Sequence, residues 1–414
     1  MKIRKFIAII SVLLSATMLL SCSDSGISPD DVVTNKTAII YFSAQNSLSS
    51  YVMRDMREIA AGAPSLKKGE TVVVYLDRKE GTEIYVFDRN HADLTPTLVF
   101  EQNLDSSDPA TLARVLSWTK ENYPALDYGL TLWSHADGWL QPLNTNYQSA
   151  ASRKWLKSFG VDDGDAFDLD RGTSMTIEDL ATVLRNSGMK FRYLFFDACL
   201  MQCIEVDYAL RHAADYIIGA PISTTADGAY YTHQLTDGLF AEDPTDIART
   251  YYKDVIDKVS SSYSLGIVVS AVKTSELDSL AILTQQLLEK NNIQLSNNVQ
   301  SSMFNIQSYN AYTSRTFYRP DFFDAAAAMS VILPADDATL WREQLDKCIV
   351  YKAGTPTFYA GSEAGDGFFY LDDNFCGVSM FVPQQKYTDN ASLSIYGDFN
   401  ETWLLTEWAK LLNP

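Results

Sequence analysis

Cys199 and His135 are the two residues of this sequence whose types and settings suit acyl transfer, a thiol nucleophile and an imidazole to carry its proton. Cys199 stands late in the apolar run Phe191–Met201 (FRYLFFDACLM), and His135 closes a second apolar run, Tyr128–Ser134 (YGLTLWS). The other three histidines are poorer partners. His91 follows an edge ribbon, His212 sits too far down the segment after Cys199, and His233 falls in a loop.

The elements that must position this pair can be read from periodicity. Residues 191–196 have no polar alternation, the pattern of a strand buried on both faces of a parallel sheet. From Leu200 to His212 the apolar positions Leu200, Ile204, Tyr208 and Leu210 recur at helical spacing, which places Cys199 between a strand's carboxyl end and the first turn of a helix. A helix start favours negative charge, and the carboxyl edge of an open α/β sheet is where sites form. If the His135 strand is a parallel neighbour, joined through a helix at Ile177–Asn186, His135 and Cys199 emerge at one edge. Asp197 lies two residues before Cys199, so on extended backbone both side chains lean to one face.

The strand ending in His135, followed by Gly138-Trp139, and the strand ending in Asp197-Ala198-Cys199-Leu200-Met201 together resemble the caspase and legumain clan of cysteine peptidases. The opening strand AIIYFSAQNSL and the late strand GVSMFVP are similar to the clostripain family in particular, over about Lys36 to Tyr387. The resemblance implies a caspase-like three-layer α/β/α sandwich with a mostly parallel central sheet and a helical C-terminal portion packed against it. It also implies cysteine endopeptidase activity with His135 and Cys199 catalytic, and a preference for cutting after Arg or Lys. Asp197 and Asp227 are then the candidates for pairing a basic substrate side chain, with N-capping of the helix after Cys199 and an Asp-Gly turn as their respective alternatives. Relatives are often cut between the His and Cys segments, and Arg153, Lys154 and Lys157 are candidate sites in the long stretch between Gly138 and Met175, which has no convincing periodicity. A binding lipoprotein that keeps the fold and lacks activity is the alternative function.

Composition bounds the partners. With 33 Lys and Arg against 52 Asp and Glu, the chain lacks the basic surface that nucleic acid requires. An acidic face suits protein or peptide substrates carrying basic residues, and is more often simply a soluble surface. The acidic run Asp162–Asp170 (DDGDAFDLD) lacks the order of a calcium loop and reads as a solvated loop, so no metal or other cofactor is expected, with a calcium requirement possible but not indicated. Lys2, Arg4 and Lys5, then the apolar stretch Phe6–Leu20 and Leu19-Leu20-Ser21-Cys22, resemble a bacterial lipoprotein signal ending in a lipidated Cys22. That implies a lipid anchor and the bacterial cell envelope, outer membrane or cell surface, or else secretion. The other cysteines, Cys203, Cys348 and Cys376, read as small buried residues. The expected organisation is a signal peptide over 1–21, a polar tether over 22–36, a catalytic domain over 37–273 and a C-terminal portion over 274–414.

Overall fold

A computed structural model describes residues 36–140, 158–164, 173–260, 264–296, 305–310, 320–360, 367–391 and 397–413. Cys22, Arg153, Lys154 and Lys157, with the signal and nearly all of the tether, lie outside the described residues. No helix among those described is long and apolar enough to cross a membrane.

Nine strands form one sheet. In chain order these are β1 (Lys36–Ser43), β2 (Glu70–Arg78), β3 (Gly81–Phe87), β4 (Leu98–Val99), β5 (Asp127–Trp133), β8 (Phe191–Asp197), β9 (Ala214–Gly219), β10 (Val268–Lys273) and β12 (Ile349–Gly354). Their spatial order is β12-β10-β9-β8-β5-β1-β2-β3-β4. The centre, β2-β1-β5-β8-β9, is parallel, and both margins are antiparallel. Short pairs lie outside it: β6 (Phe159–Asp162) with β7 (Thr173–Met175), β11 (Phe323–Asp324) with β15 (Ser379–Met380), and β13 (Thr357–Tyr359) with β14 (Phe368–Tyr370).

Both faces of the central strands are covered, which is why they read as unbroken apolar runs. Ala38, Ile39, Ile40, Tyr41 and Phe42 in β1 are wholly inaccessible. The flanking helices fall into two packed groups. Helix α1 (Ser49–Gly62) meets the turns at 231–238, which meet helix Asp246–Ile256. Helix α2 (Pro109–Asn122) packs on helix Ile177–Asn186, and helix Ile204–Leu210 continues that layer to helices Leu277–Lys290 and Glu407–Leu412. Asp108 caps α2, accepting from the Ala110 N–H, with Pro109 at the first helical position.

Three local expectations are corrected. The segment after Cys199 does not enter a helix at once, because Leu200 takes a left-handed conformation (φ 63°) and the helix starts only at Ile204. Its apolar residues are buried by tertiary contacts rather than by helical periodicity. In the C-terminal portion, expected to be helical, the described residues between Asn291 and Ile332 are helical mainly over Ala325–Ile332, and β11 precedes that helix. In the acidic run, Asp162 and Asp163 are buried instead of solvated, since β6 carries them against the sheet.

The C-terminal portion is tied to the rest by strand pairing and buried polar contacts. Its strand β12 extends the sheet beside β10, so one sheet runs across residue 273. Glu205, at the start of helix Ile204–Leu210, accepts from the Phe381 N–H at 2.9 Å and the Trp403 Nε1 at 3.1 Å. Ser379 donates its N–H to the Gln202 carbonyl at 3.0 Å.

Several buried carboxyls have raised pKa values. Burial pushes Asp197 up to about 6, Glu58 and Glu205 up to about 7, and Asp55 up to about 9, and it raises Asp77 and Asp207 as well. The folded chain therefore holds protons that the unfolded chain, with ordinary carboxyl values, has already released. Stability contributed by those protons is fully present below the unfolded values and is lost as pH rises through the folded ones, from about 4 to about 9. The melting temperature by scanning fluorimetry is expected to fall by at least about 5 °C between pH 5.5 and pH 8.5; a rise over that interval would contradict the assignment of these protons.

Candidate active site

The parallel register places four chain segments at one edge. Phe42 of β1 pairs with Trp133 of β5, and Trp133 pairs with Asp197 of β8, so residues 44–48, 134–138 and 198–203 leave the sheet side by side. Strand β9 is parallel to β8, and the residues after it reach the same edge.

Cys199 and His135 both lie here, each half-buried. The Thr224 N–H donates to Cys199 Sγ at 3.3 Å, and the Thr224 hydroxyl lies 3.6 Å from the same sulfur. Cys199 Sγ in turn lies 3.8 Å from the Thr224 carbonyl, so the sulfur is held against one residue of the segment after β9. Cys203, Cys348 and Cys376 are fully buried; burial pushes Cys203 and Cys376 well up and Cys348 up to about 12. Among the described cysteines Cys199 alone is open to a substrate. Its turn is held by the Leu200 N–H donating to the Ile222 carbonyl at 2.9 Å and the Gln202 N–H donating to the Ala220 carbonyl at 3.2 Å.

The His135 backbone is fixed from the other side. Its carbonyl accepts from the Gly160 N–H at 3.1 Å, and Ala136 bridges to Phe159 in β6. The ring Nε2 lies 2.8 Å from the Ser47 hydroxyl, in the segment that follows β1. Gly138 draws the two turns together. It has φ 64°, and a Cβ there would sit 2.7 Å from the Leu200 carbonyl oxygen, so a residue with a side chain cannot take this position without moving one turn away from the other.

Asp197 and Asp227 also lie at this edge. Asp197 is buried and accepts from the Ala229 N–H at 3.0 Å and the Tyr231 hydroxyl at 3.0 Å. It does not cap the helix after Cys199, which begins at Ile204 with Cys203 in the cap position. Asp227 does occupy an Asp-Gly turn, closed by the Gly228 N–H on the Thr225 carbonyl at 3.1 Å, with Gly228 at φ 61°. Its carboxylate pairs with Arg54 of α1 and accepts from Ser260.

Three residues at this edge are not singled out by sequence: Ser47, Thr224 and Arg54. A signal existed for Ser47, because whatever follows β1 must lie beside whatever follows β5 once the two strands are parallel neighbours. For Thr224 and Arg54 nothing local distinguishes them.

Chemically, the edge offers an accessible sulfur with a backbone donor, an imidazole whose Nε2 meets the Ser47 hydroxyl, and two flanking buried carboxyl groups, an arrangement able to carry acyl transfer. The Ser47 contact yields an expectation for Ser47→Ala. Loss of one hydrogen bond is worth about 1.4 kcal/mol, so turnover should fall roughly tenfold with KM little changed. The pH–rate profile should shift, and Ser47→Thr should restore both; an unshifted profile would deny the contact a role in setting the ring. Gly138→Ala should lower turnover about a hundredfold with the fold retained, since displacement of reacting groups by about 1 Å has that scale. Full activity with an unchanged circular dichroism spectrum would show that the two turns tolerate separation.

The sequence model of the clostripain family matches residues 40–408. A secreted C11 cysteine protease from Bacteroides thetaiotaomicron, solved in complex with an irreversible peptide inhibitor, is similar with a TM-score of 0.74 and 25% identity, covering 92% of this chain and 99% of that one. An inactive zymogen C11 protease from Parabacteroides distasonis has a TM-score of 0.70 and 26% identity, covering 92% of this chain and 99% of that one. No curated protein matches the chain.

Proposed function

Because the chain belongs to the clostripain family and is a cysteine endopeptidase, we propose that it cleaves peptide bonds after Arg or Lys through Cys199 and His135. The observation that carries this reading is the setting of Cys199, an accessible thiol at the end of β8 with a backbone N–H on its sulfur, beside the strand that presents His135.

In the reaction the Cys199 thiolate attacks the carbonyl carbon of the scissile bond, and the electron pair of the C=O moves to oxygen. Backbone N–H groups receive that oxyanion. Of the turn after His135, the Asp137 N–H is already directed to the Ser158 carbonyl at 3.4 Å. The Gly138 N–H, with that of Cys199, is therefore our choice of donor. Collapse of the tetrahedral species breaks the C–N bond, and the protonated His135 delivers its proton to the departing amine. The same imidazole then takes a proton from water, which attacks the thioester and frees Cys199. No cofactor enters these steps.

The basic preference rests on Asp227, with Asp197 lining the recess behind it. A guanidinium or ammonium entering beside Cys199 would meet the Asp227 carboxylate as its nearest acidic partner. An activating cut among Arg153, Lys154 and Lys157 fits the same preference, and the existence of an inactive zymogen among the similar structures supports it. Anchoring through a lipidated Cys22 rests on the N-terminal signal and would hold the enzyme in the bacterial cell envelope.

The test is turnover of two fluorogenic peptides, one ending in Arg and one in Asp at the cleaved position. Wild type is expected to cleave the first and ignore the second, and Cys199→Ala should lower the rate by at least about a thousandfold. Intact-mass analysis should show a cut at 153, 154 or 157 in the active sample. No turnover of either peptide, with Cys199 inert to iodoacetamide, would instead favour a binding lipoprotein.

A further inference from the structure

Arg54 is placed where the substrate's own cation is expected. It lies on α1, distant in sequence from both catalytic residues, yet its Nη1 meets the Asp227 carboxylate and its Nη2 donates to the Asp227 carbonyl at 2.6 Å. The same Nη2 reaches Asp55 Oδ1 at 3.1 Å, and the Nε lies 3.4 Å from Glu58 Oε1. One guanidinium thus serves three carboxyl groups. A fourth, Asp197, is near enough to raise the Asp55 and Glu58 pKa values further. Each Asp227 oxygen already has a partner, since Ser260 donates to the other one.

Arg54 has the means to leave. Its side chain is 36% exposed, whereas that of Asp227 is 6% exposed, so the guanidinium forms the solvent side of the pair. Glu58 shares its helix one turn on and would keep the Nε when the Nη atoms let go. The cost of breaking the Asp227 pair would therefore be partly offset before any substrate arrives.

We propose that Arg54 is a specificity-determining residue, the resident cation of the acidic recess, which a basic substrate side chain must displace from Asp227 in order to bind. The inference rests on the reading that Asp227 receives that side chain. It has two consequences for selectivity. A basic substrate competes with Arg54, so its apparent affinity is reduced by the fraction of molecules in which Asp227 is released. A neutral side chain, in contrast, enters a recess whose charge is already compensated. Arg54 thereby narrows the gap between basic and neutral substrates.

The experiment compares kcat/KM for matched peptides with Arg, Lys or Leu at the cleaved position, using the full chain and rates normalised to labelled Cys199, so that misfolded protein does not enter the ratio. In Arg54→Gln the ratio of Arg to Leu should rise at least about tenfold, chiefly through a lower KM for the Arg peptide. Arg54→Lys, which keeps the charge, should stay near the wild-type ratio. An unchanged or reduced ratio in Arg54→Gln would overturn the role of Arg54.

Asp227→Asn separates this from the reading beneath it. If Asp227→Asn lowers the Arg-to-Leu ratio while Arg54→Gln leaves it alone, the basic pocket stands and the displacement inference fails. If Asp227→Asn has no effect on the ratio, the pocket reading fails and the inference fails with it. A wild type that prefers Leu and an Arg54→Gln variant that prefers Arg would refute the native basic preference while supporting Arg54 as its suppressor.

Discussion

The parallel pairing of β1, β5 and β8 is the constraint on which the site depends. Trp133 is the middle member, paired with Phe42 on one side and Asp197 on the other, so the ends of three strands are fixed to one line within about a residue. Parallel neighbours cannot be joined by tight turns, and the chain crosses back through helices between them. Ser47, His135 and Cys199 are therefore brought together from segments that are far apart in sequence. Gly129, on β5, is part of the same constraint, because a side chain there would collide with Tyr193 of β8. The missing side chain leaves room for the Tyr193 ring to lie across β5.

A second layer of control comes from below the Cys199 turn. Leu200 to Cys203 form neither strand nor helix, so the backbone must find partners elsewhere. It finds them in Ile222, Ala220 and Ser379, and Glu205 adds Phe381 and Trp403. Two of these partners follow β9, and the others belong to the C-terminal portion. The turn after Cys199 is thus built from three separate regions of the chain. Burial of Glu205 and Asp207 raises both carboxyls, and such groups are retained at a cost in stability where their hydrogen bonds specify one arrangement.

Much of this was legible in the sequence, for identifiable reasons. Strands buried on both faces announce themselves as apolar runs, and FRYLFF and YGLTLW each end where chemistry-bearing residues begin. The turn after Cys199 was not legible, because Leu200, Ile204 and Tyr208 satisfy a helical period while tertiary contacts dictate the backbone of the first of them. Asp162 and Asp163 failed for the reverse reason: a run of acids reads as solvated, yet β6 carries two of them under the edge, where Asp162 accepts from the Ser106 N–H at 2.9 Å. Arg54 was invisible because its meaning depends entirely on Asp227, a residue 173 positions away.

Asp197 unites these strands of reasoning. It lies two residues before Cys199 at the end of β8, buried where an unpaired carboxyl would be costly, so it needs partners. Its oxygens take the Ala229 N–H and the Tyr231 hydroxyl, and Gly228 lies so close that a Cβ there would fall 2.7 Å from Oδ2. The stretch from Thr224 to Tyr231 is consequently draped around Asp197. One end of that stretch supplies the N–H on the Cys199 sulfur, and its middle supplies the carboxylate that Arg54 holds. The N–H on the Cys199 sulfur and the carboxylate paired with Arg54 are positioned by the same buried acid.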